Sequence, residues 1–235
     1  MLACKALAAL LLYPDAELMA ALPEITVLLR EASLPAREKA AIVRFCGQLE
    51  RLDLMAAQSA YVSLFDGVPS LSLYLFGHVH GDSRERGQAM ADLVEDYRRA
   101  GLVLTGGELP DFLPVFLEYV SLHPAEHARA LLAEIADIAA LLAGRLEKRG
   151  SGYASVMRAI EALACRPANR EAVEARLAGD KPDDTAEALD KVWEEAPVSF
   201  MEPAAGGTEC PKAAAIVAQF EEGVAGGRNG GRRKA

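Results

Sequence analysis

The chain has 235 residues, of which 51% are hydrophobic but only 6% aromatic, and its formal net charge is −9. That length allows a sizeable core, as one large domain or two small ones. Four cations, Arg228, Arg232, Arg233 and Lys234, fall in the last eight residues and leave −13 on the remainder, a sign that argues against a phosphate-backbone surface and suits a basic peptide or simple solubility.

Ala, Leu, Glu and Arg, all good helix formers, dominate the composition, so an all-α fold is expected. A first helix spans about 2–12 and is apolar nearly all round, as a central helix would be. The apolar run 6–12 after Lys5 resembles a short signal-peptide core, but the turn Tyr13-Pro14-Asp15 follows it without a clear A-x-A cleavage site. It is read as a buried helix in a cytoplasmic protein. Pro14 and Asp15 open a second helix, expected to be interrupted near Pro23. Pro35 starts a third, where Ile42, Phe45, Cys46 and Leu49 share one buried face and Cys46 reads as a small core residue. From Ala57, Ala60, Tyr61, Leu64 and Phe65 repeat that spacing, and turn residues 66–70 close the helix. Leu71, Leu73 and Leu75 then alternate with Ser72, Tyr74 and Phe76, a strand-like period with no partner strand in view, so the segment is read as a connector or short helix.

The stretch 76–97 concentrates polar chemistry. Asp82 or Ser83 can cap the helix that follows, with Glu85 in a capping-box position. Met90, Leu93, Val94 and Tyr97 form its buried face, Arg98 and Arg99 complement its dipole, and Gly101 stops it. After a loop at 105–107, Asp111 begins a helix over 112–122 with Pro114 in the first turn; Glu118 is a carboxylate in apolar company, expected to snorkel or pair with an arginine. The period predicts one long helix over 124–149, then an antiparallel one over 153–163. Beyond Arg166, glycine, proline and charge increase. The organisation expected is a single helical-bundle domain over 1–165, a helical extension over 166–202 that carries Trp193, and a flexible tail over 203–235.

Cys4, Cys46, Cys165 and Cys210 lie far apart without a C-x-x-C pair, which suggests neither a zinc knuckle nor a disulfide framework. No apolar run approaches the roughly 18 residues of a membrane span. His78-x-His80-x-Asp82 has the spacing of a metallohydrolase string, but the next position is Ser83 rather than histidine, and few strands are in prospect to carry such a site. His123 and His127, the other histidines, are four apart, yet Pro124 biases His123 out of helical geometry. Neither a phosphate-binding glycine loop with its lysine nor a G-x-S-x-G elbow is present. The expectation is therefore a non-enzymatic protein without metal or cofactor; the alternative is a small helical metal-dependent hydrolase using His78, His80 and Asp82. An acidic helical protein can instead seat an amphipathic peptide, apolar face in a groove and basic residues against rim carboxylates. Asp82, Glu108, Asp111 and Glu118 flank the most apolar segments and are read as that rim.

Five segments carry a resemblance: LLLYPD at 10–15, Gln58-x-x-Tyr61-x-x-Leu64-Phe65-Asp66, HVHGDSRERGQAMADLVEDY at 78–97, Glu108-Leu109-Pro110-Asp111 followed by FLPVFLEYVS, and Trp193-Glu194-Glu195 with Val198 and Phe200. Together they resemble the NarJ family, the molybdenum cofactor assembly chaperones of respiratory nitrate reductase and relatives of the TorD-like chaperones, over roughly residues 2–200. The resemblance implies an all-helical cytoplasmic chaperone that recognises the N-terminal segment of the catalytic α subunit. It holds the apo-enzyme open for molybdenum cofactor insertion and delays membrane attachment; TorD-like relatives imply another molybdoenzyme as the alternative partner. His78, His80, Asp82 and Arg86 match the family's H-V-H-G-[DE]-S-R-x-R string. Glu108, Pro110 and Asp111 match its E-L-P-D loop, which in related chaperones lies by the peptide-binding region. These seven residues and Glu118 are the candidate site. Gly77 stands where the family has Glu and Phe112 where the loop usually continues with His.

Overall fold

The structure, a computed structural model, describes residues 1–79, 84–104, 107–181, 183 and 185. Capping by Asp82 or Ser83, the part of the expected helical extension beyond 185 with Trp193, and the tail lie outside those residues. Ten α-helices are described: α1 Leu2–Leu10, α2 Ala16–Glu31, α3 Ala36–Leu49, α4 Leu54–Phe65, α5 Arg84–Arg99, α6 Leu113–Ser121, α7 Ala125–Glu134, α8 Ala136–Lys148, α9 Ala154–Leu163 and α10 Arg170–Gly179. Two 3-10 turns, Pro69–Leu71 and Leu75–His78, occupy the connector between α4 and α5. The all-α class expected from composition holds.

Helix starts follow local chemistry. Asp15 accepts from the Leu18 amide at 2.7 Å and Asp53 from the Ala56 amide at 2.7 Å, so each supplies an acceptor to a first turn that has none of its own. Pro35 and Pro124 stand at the caps of α3 and α7, and Gly101 follows α5 with φ +79°, a backbone angle that costs other residues a Cβ clash. In the core, α1 packs against α2, α6 and α9, and α8 packs against α9 and α10. Leu7, Leu10, Leu117, Leu142 and Ile160 are fully enclosed there. Cys46 is buried as expected, and burial pushes its thiol up from the ordinary range; burial likewise raises Cys4 to about 11, so neither is a ready nucleophile.

Three expectations change. Helix α2 runs through Pro23 without a break, because Pro23 faces solvent while Leu22, Ile25 and Leu29 hold the buried face on both sides of it. The expected helix over 124–149 is two helices parted at Ile135, which adopts φ −102°, ψ 5°. No glycine or proline marks this break. Ile135 is itself buried, so packing rather than propensity sets the change of direction. Finally, the alternating segment does have a partner. Tyr74 forms an isolated antiparallel bridge with Phe112, with the Leu75 amide donating to the Asp111 carbonyl at 2.9 Å and the Leu113 amide to the Leu73 carbonyl at 2.8 Å. Leu71, Leu73 and Leu75 are buried, as their period of two requires.

Segment α10 lies on α8 so closely that a Cβ at Gly144 would stand 2.6 Å from Leu177 Cδ1. The same face carries a buried arginine. Arg145 donates through Nε and Nη2 to the two Asp180 oxygens at 2.9 and 2.6 Å, and through Nη1 to the Ser70 carbonyl at 2.8 Å. Beside it, Arg149 pairs with Asp183 at 2.7 Å, and Asp183 also accepts from the Ser70 amide at 2.9 Å. These bonds fasten α10 and the first 3-10 turn to α8.

Candidate functional site

Two of the family-like segments meet at Asp111. Although read as a rim carboxylate, Asp111 has 0% exposure. The Tyr74–Phe112 bridge pulls it inward, and its Oδ2 accepts from the Phe76 amide at 3.0 Å, capping the second 3-10 turn. Arg86, at the start of α5, brings Nη2 to 3.9 Å from the same oxygen. The other oxygen, Oδ1, is buried and accepts no hydrogen bond among the described residues. Pro110 is buried next to it, and its carbonyl accepts from the buried Tyr97 hydroxyl at 2.7 Å. Tyr97 also packs against Tyr119 of α6, with ring centroids 4.8 Å apart and planes inclined at 46°, and is the one fully buried side chain described on α5. Helix α5 is thus held at its two ends, by Arg86 and by Tyr97.

His78 lies on the same connector. Its Nε2 stands 2.8 Å from the Ser72 carbonyl, an acceptor, so Nε2 carries the ring proton. Burial holds its pKa below the usual histidine value, with the Arg145 and Arg176 charges acting in the same direction. Its carbonyl accepts from Arg176 of α10 at 3.2 and 3.3 Å. With Nε2 donating to a backbone carbonyl, only Nδ1 keeps a lone pair, and among the described residues no three His, Cys, Asp or Glu side chains are grouped to hold a metal ion. His80 and Asp82 lie outside the described residues. His123 and His127, though expected to be out of phase, bring their rings to 4.6 Å at the α6–α7 junction.

Glu108 is exposed and accepts from the Tyr74 hydroxyl at 2.8 Å, which joins the E-L-P-D loop to the connector a second time. Glu118 stands apart, exposed on α6, and makes no ion pair among the described residues, so of the two expected arrangements the pairing with an arginine is not found there. The structure therefore gathers His78, Arg86, Glu108, Pro110 and Asp111 around two touching segments, with Glu118 elsewhere. Exposed apolar side chains remain on the segments tied at Asp111: Val79 after the second turn, Val103 after α5 and Leu109 in the loop.

Sequence reasoning did not single out the aromatic recess next to this loop. Gln58 Nε2 donates to the Pro14 carbonyl at 2.8 Å and the Tyr61 hydroxyl to the Leu11 carbonyl at 2.9 Å, so α4 holds the turn after α1. Tyr13 is thereby set edge-on to Tyr61 at 5.7 Å, and Phe65 lies 4.8 Å from Tyr61. On the opposite wall the Tyr74 and Phe112 rings meet at a tilt, with centroids 5.3 Å apart. A cavity of about 290 Å³ lies between these walls, with Asp66 and Glu108 also lining it. The available signal was the spacing of Gln58, Tyr61, Phe65 and Asp66, which bears on the recess only once the bridge brings Tyr74 and Phe112 across. A larger cleft of about 810 Å³ lies against α3 and α9, but Arg158 there is already paired with Glu147 at 2.9 Å and Glu161 at 3.0 Å, and none of the candidate residues lines it.

Residues 17–159 match the family model described as nitrate reductase delta subunit. The chain is 42% identical over 193 residues, 82% of either chain, to the nitrate reductase molybdenum cofactor assembly chaperone NarJ of Escherichia coli K12. It is 37% identical to the probable chaperone NarW of the same organism, over 84% of this chain and 83% of the relative. To the probable NarJ of Bacillus subtilis it is 34% identical, over 72% of this chain and 92% of that one. A match across most of both lengths identifies the chain as a member of the NarJ family of nitrate reductase delta subunits.

Proposed function

We propose that this chain is a system-specific assembly chaperone that binds the N-terminal segment of the nitrate reductase catalytic (α) subunit. In doing so it keeps the apo-enzyme competent for molybdenum cofactor insertion before membrane attachment, in the cytoplasm and without catalysis of its own. The observation that carries this reading is the 42% identity, over 82% of both chains, to a protein named as the molybdenum cofactor assembly chaperone of nitrate reductase. The geometry supports it. A binding surface for a flexible peptide needs apolar area left open and carboxylates for basic residues, because ordering the peptide costs on the order of 2–5 kcal/mol. Val79, Val103 and Leu109 supply the first and Glu108 the second, on segments held in place by Asp111 and Tyr97. Among the described residues no helix is long and apolar enough to cross a membrane.

Titration calorimetry of the full chain with the N-terminal peptide of the nitrate reductase α subunit tests the reading. Saturable binding with a dissociation constant in the micromolar range or below is expected. No heat and no competition up to roughly 100 µM peptide would overturn it.

A further inference from the structure

We propose that the recess between Tyr13, α4 and the Tyr74–Phe112 pair is the subsite for one cationic side chain, lysine or arginine, of the bound peptide. The inference rests on the peptide-binding reading above and specifies what part of the peptide is selected. At about 290 Å³ the recess is at or below the lower end of sites that hold whole small molecules, and it suits one long side chain. Its walls are rings: Tyr61 is buried at the base, Tyr13 is 50% exposed, and Phe65, Tyr74 and Phe112 complete them. Ring faces attract a cation through their quadrupole and pack along its aliphatic stem.

Two carboxylates set the sign of the charge. Among the described residues Asp66 and Glu108 line the recess, and no lysine or arginine does. Tyr74 holds one Glu108 oxygen at 2.8 Å and leaves the other for a ligand; the Asp66 carboxylate accepts no hydrogen bond among the described residues. The field of these groups is felt across the recess. Burial is the main cause that raises the Tyr61 and Tyr74 phenols, and Asp66 and Glu108 add to it, bringing Tyr74 to about 12. A field that opposes a phenolate favours a cation. Asp66 and Glu108 are exposed, so a cation seated there gains their attraction, which a neutral apolar side chain does not.

A cycle of variants on both partners tests the proposal, with the full chain and the N-terminal peptide of the nitrate reductase α subunit measured by calorimetry. On the chain, Asp66→Asn and Glu108→Gln are made singly and together; the amide oxygen introduced by Glu108→Gln still accepts from the Tyr74 hydroxyl, and circular dichroism confirms retained helicity. On the peptide, each lysine is changed in turn to norleucine and each arginine to citrulline. The double variant is expected to bind the native peptide roughly tenfold more weakly, and one peptide position to show the same loss. Combining the two changes should then add little further loss, since both remove one contact. Glu24→Gln, on the exposed face of α2, should leave affinity within about twofold, which separates a local contact from a general charge effect. Equal binding of the native peptide by the double variant and the unaltered chain would overturn the cationic subsite and leave the chaperone reading in place. The subsite is likewise overturned if the double variant weakens equally a peptide with every lysine and arginine replaced. Absence of binding between unaltered chain and native peptide would instead overturn the chaperone reading, and the subsite with it.

Discussion

Arg145 and Asp111 are both buried charges on the α4–α5 connector's contacts, and they are satisfied to different degrees. Arg145 makes three hydrogen bonds, two of them to the one carboxylate of Asp180. Asp111 accepts one backbone amide and stands 3.9 Å from Arg86, with Oδ1 buried and unpartnered among the described residues. A fully paired buried ion fastens elements together, whereas a half-paired one leaves its surroundings cheaper to rearrange. The Arg145 node joins α8, α10 and the first 3-10 turn; the Asp111 node joins the second turn, the 107–112 loop and the start of α5. The second node is also the one flanked by exposed apolar side chains and carrying the family-like residues, so under the proposed peptide-binding function rigidity and recognition fall at opposite ends of one connector.

The comparison can be broken by substitution. The largest effect is expected for Asp111→Lys, which puts a cation into a site with 0% exposure and opposite Arg86. A loss of about 4 kcal/mol or more is expected in denaturant unfolding, so the variant cannot report on peptide binding alone. Next comes Arg145→Gln, which removes the bidentate pair and is expected to cost about 3 kcal/mol, or roughly 6–12 °C in Tm for a domain of this size. Asp111→Asn, by contrast, keeps an acceptor for the Phe76 amide and loses only the long ion pair, for about 1 kcal/mol or less. If Asp111→Asn proved as costly as Arg145→Gln, the distinction between the nodes would be wrong.

Acid should separate the nodes more gently. His78 has a folded pKa below its ordinary 6.5, so below pH 6.5 the unfolded chain binds the proton first and stability falls until the folded pKa is passed. The groups facing it are the Ser72 carbonyl, Arg176 and Arg145, and both cations oppose its protonation. His78→Gln, which can still donate to Ser72, is expected to flatten the decline between pH 7 and 5 measured by urea unfolding. Some slope should remain, because His123 is also held below its ordinary value, mainly by burial and next by His127. The Arg145 node responds lower on the scale. Hydrogen bonding to Arg145 depresses Asp180 below its usual 3.8, so this pair's contribution is present above that value and lost as pH falls through the folded pKa. An unchanged pH 7-to-5 slope in His78→Gln would show that His78 is not the group responsible. The smallest effect expected is about 1 kcal/mol for Gly144→Ala, where the new methyl meets the flexible end of Leu177. A loss of several kcal/mol there would mean that α10 cannot adjust on α8.

Much of this was legible from local chemistry. Asp15 is the residue type that caps a helix, and it does cap α2. Ile42, Phe45, Cys46 and Leu49 recur at helical spacing and are all buried, whereas the Leu71-Leu73-Leu75 alternation reads as a connector or short helix until the bridge from Tyr74 to Phe112 gives it a partner. Ile135 was not legible, because nothing in its own type breaks a helix, nor was Pro23, whose usual effect is overridden by the buried residues around it. Asp111 misled for a related reason. A carboxylate in a loop reads as exposed, and only the Tyr74–Phe112 bridge carries it inside.

The sequence by itself determined the all-helical class, most helix starts and the family motifs, since these depend on periodicity, capping and residue identity over a few neighbours. Tertiary structure alone decided that Asp111 is core, that Arg145 fastens α10 to α8, and that Tyr13, Tyr61, Phe65, Tyr74 and Phe112 close around one recess with two carboxylates and no described cation. Burial and charge pairing depend on which distant segments touch: Arg145 lies 35 residues from Asp180, Tyr61 50 from Leu11 and Arg145 75 from Ser70, far beyond the reach of any local pattern.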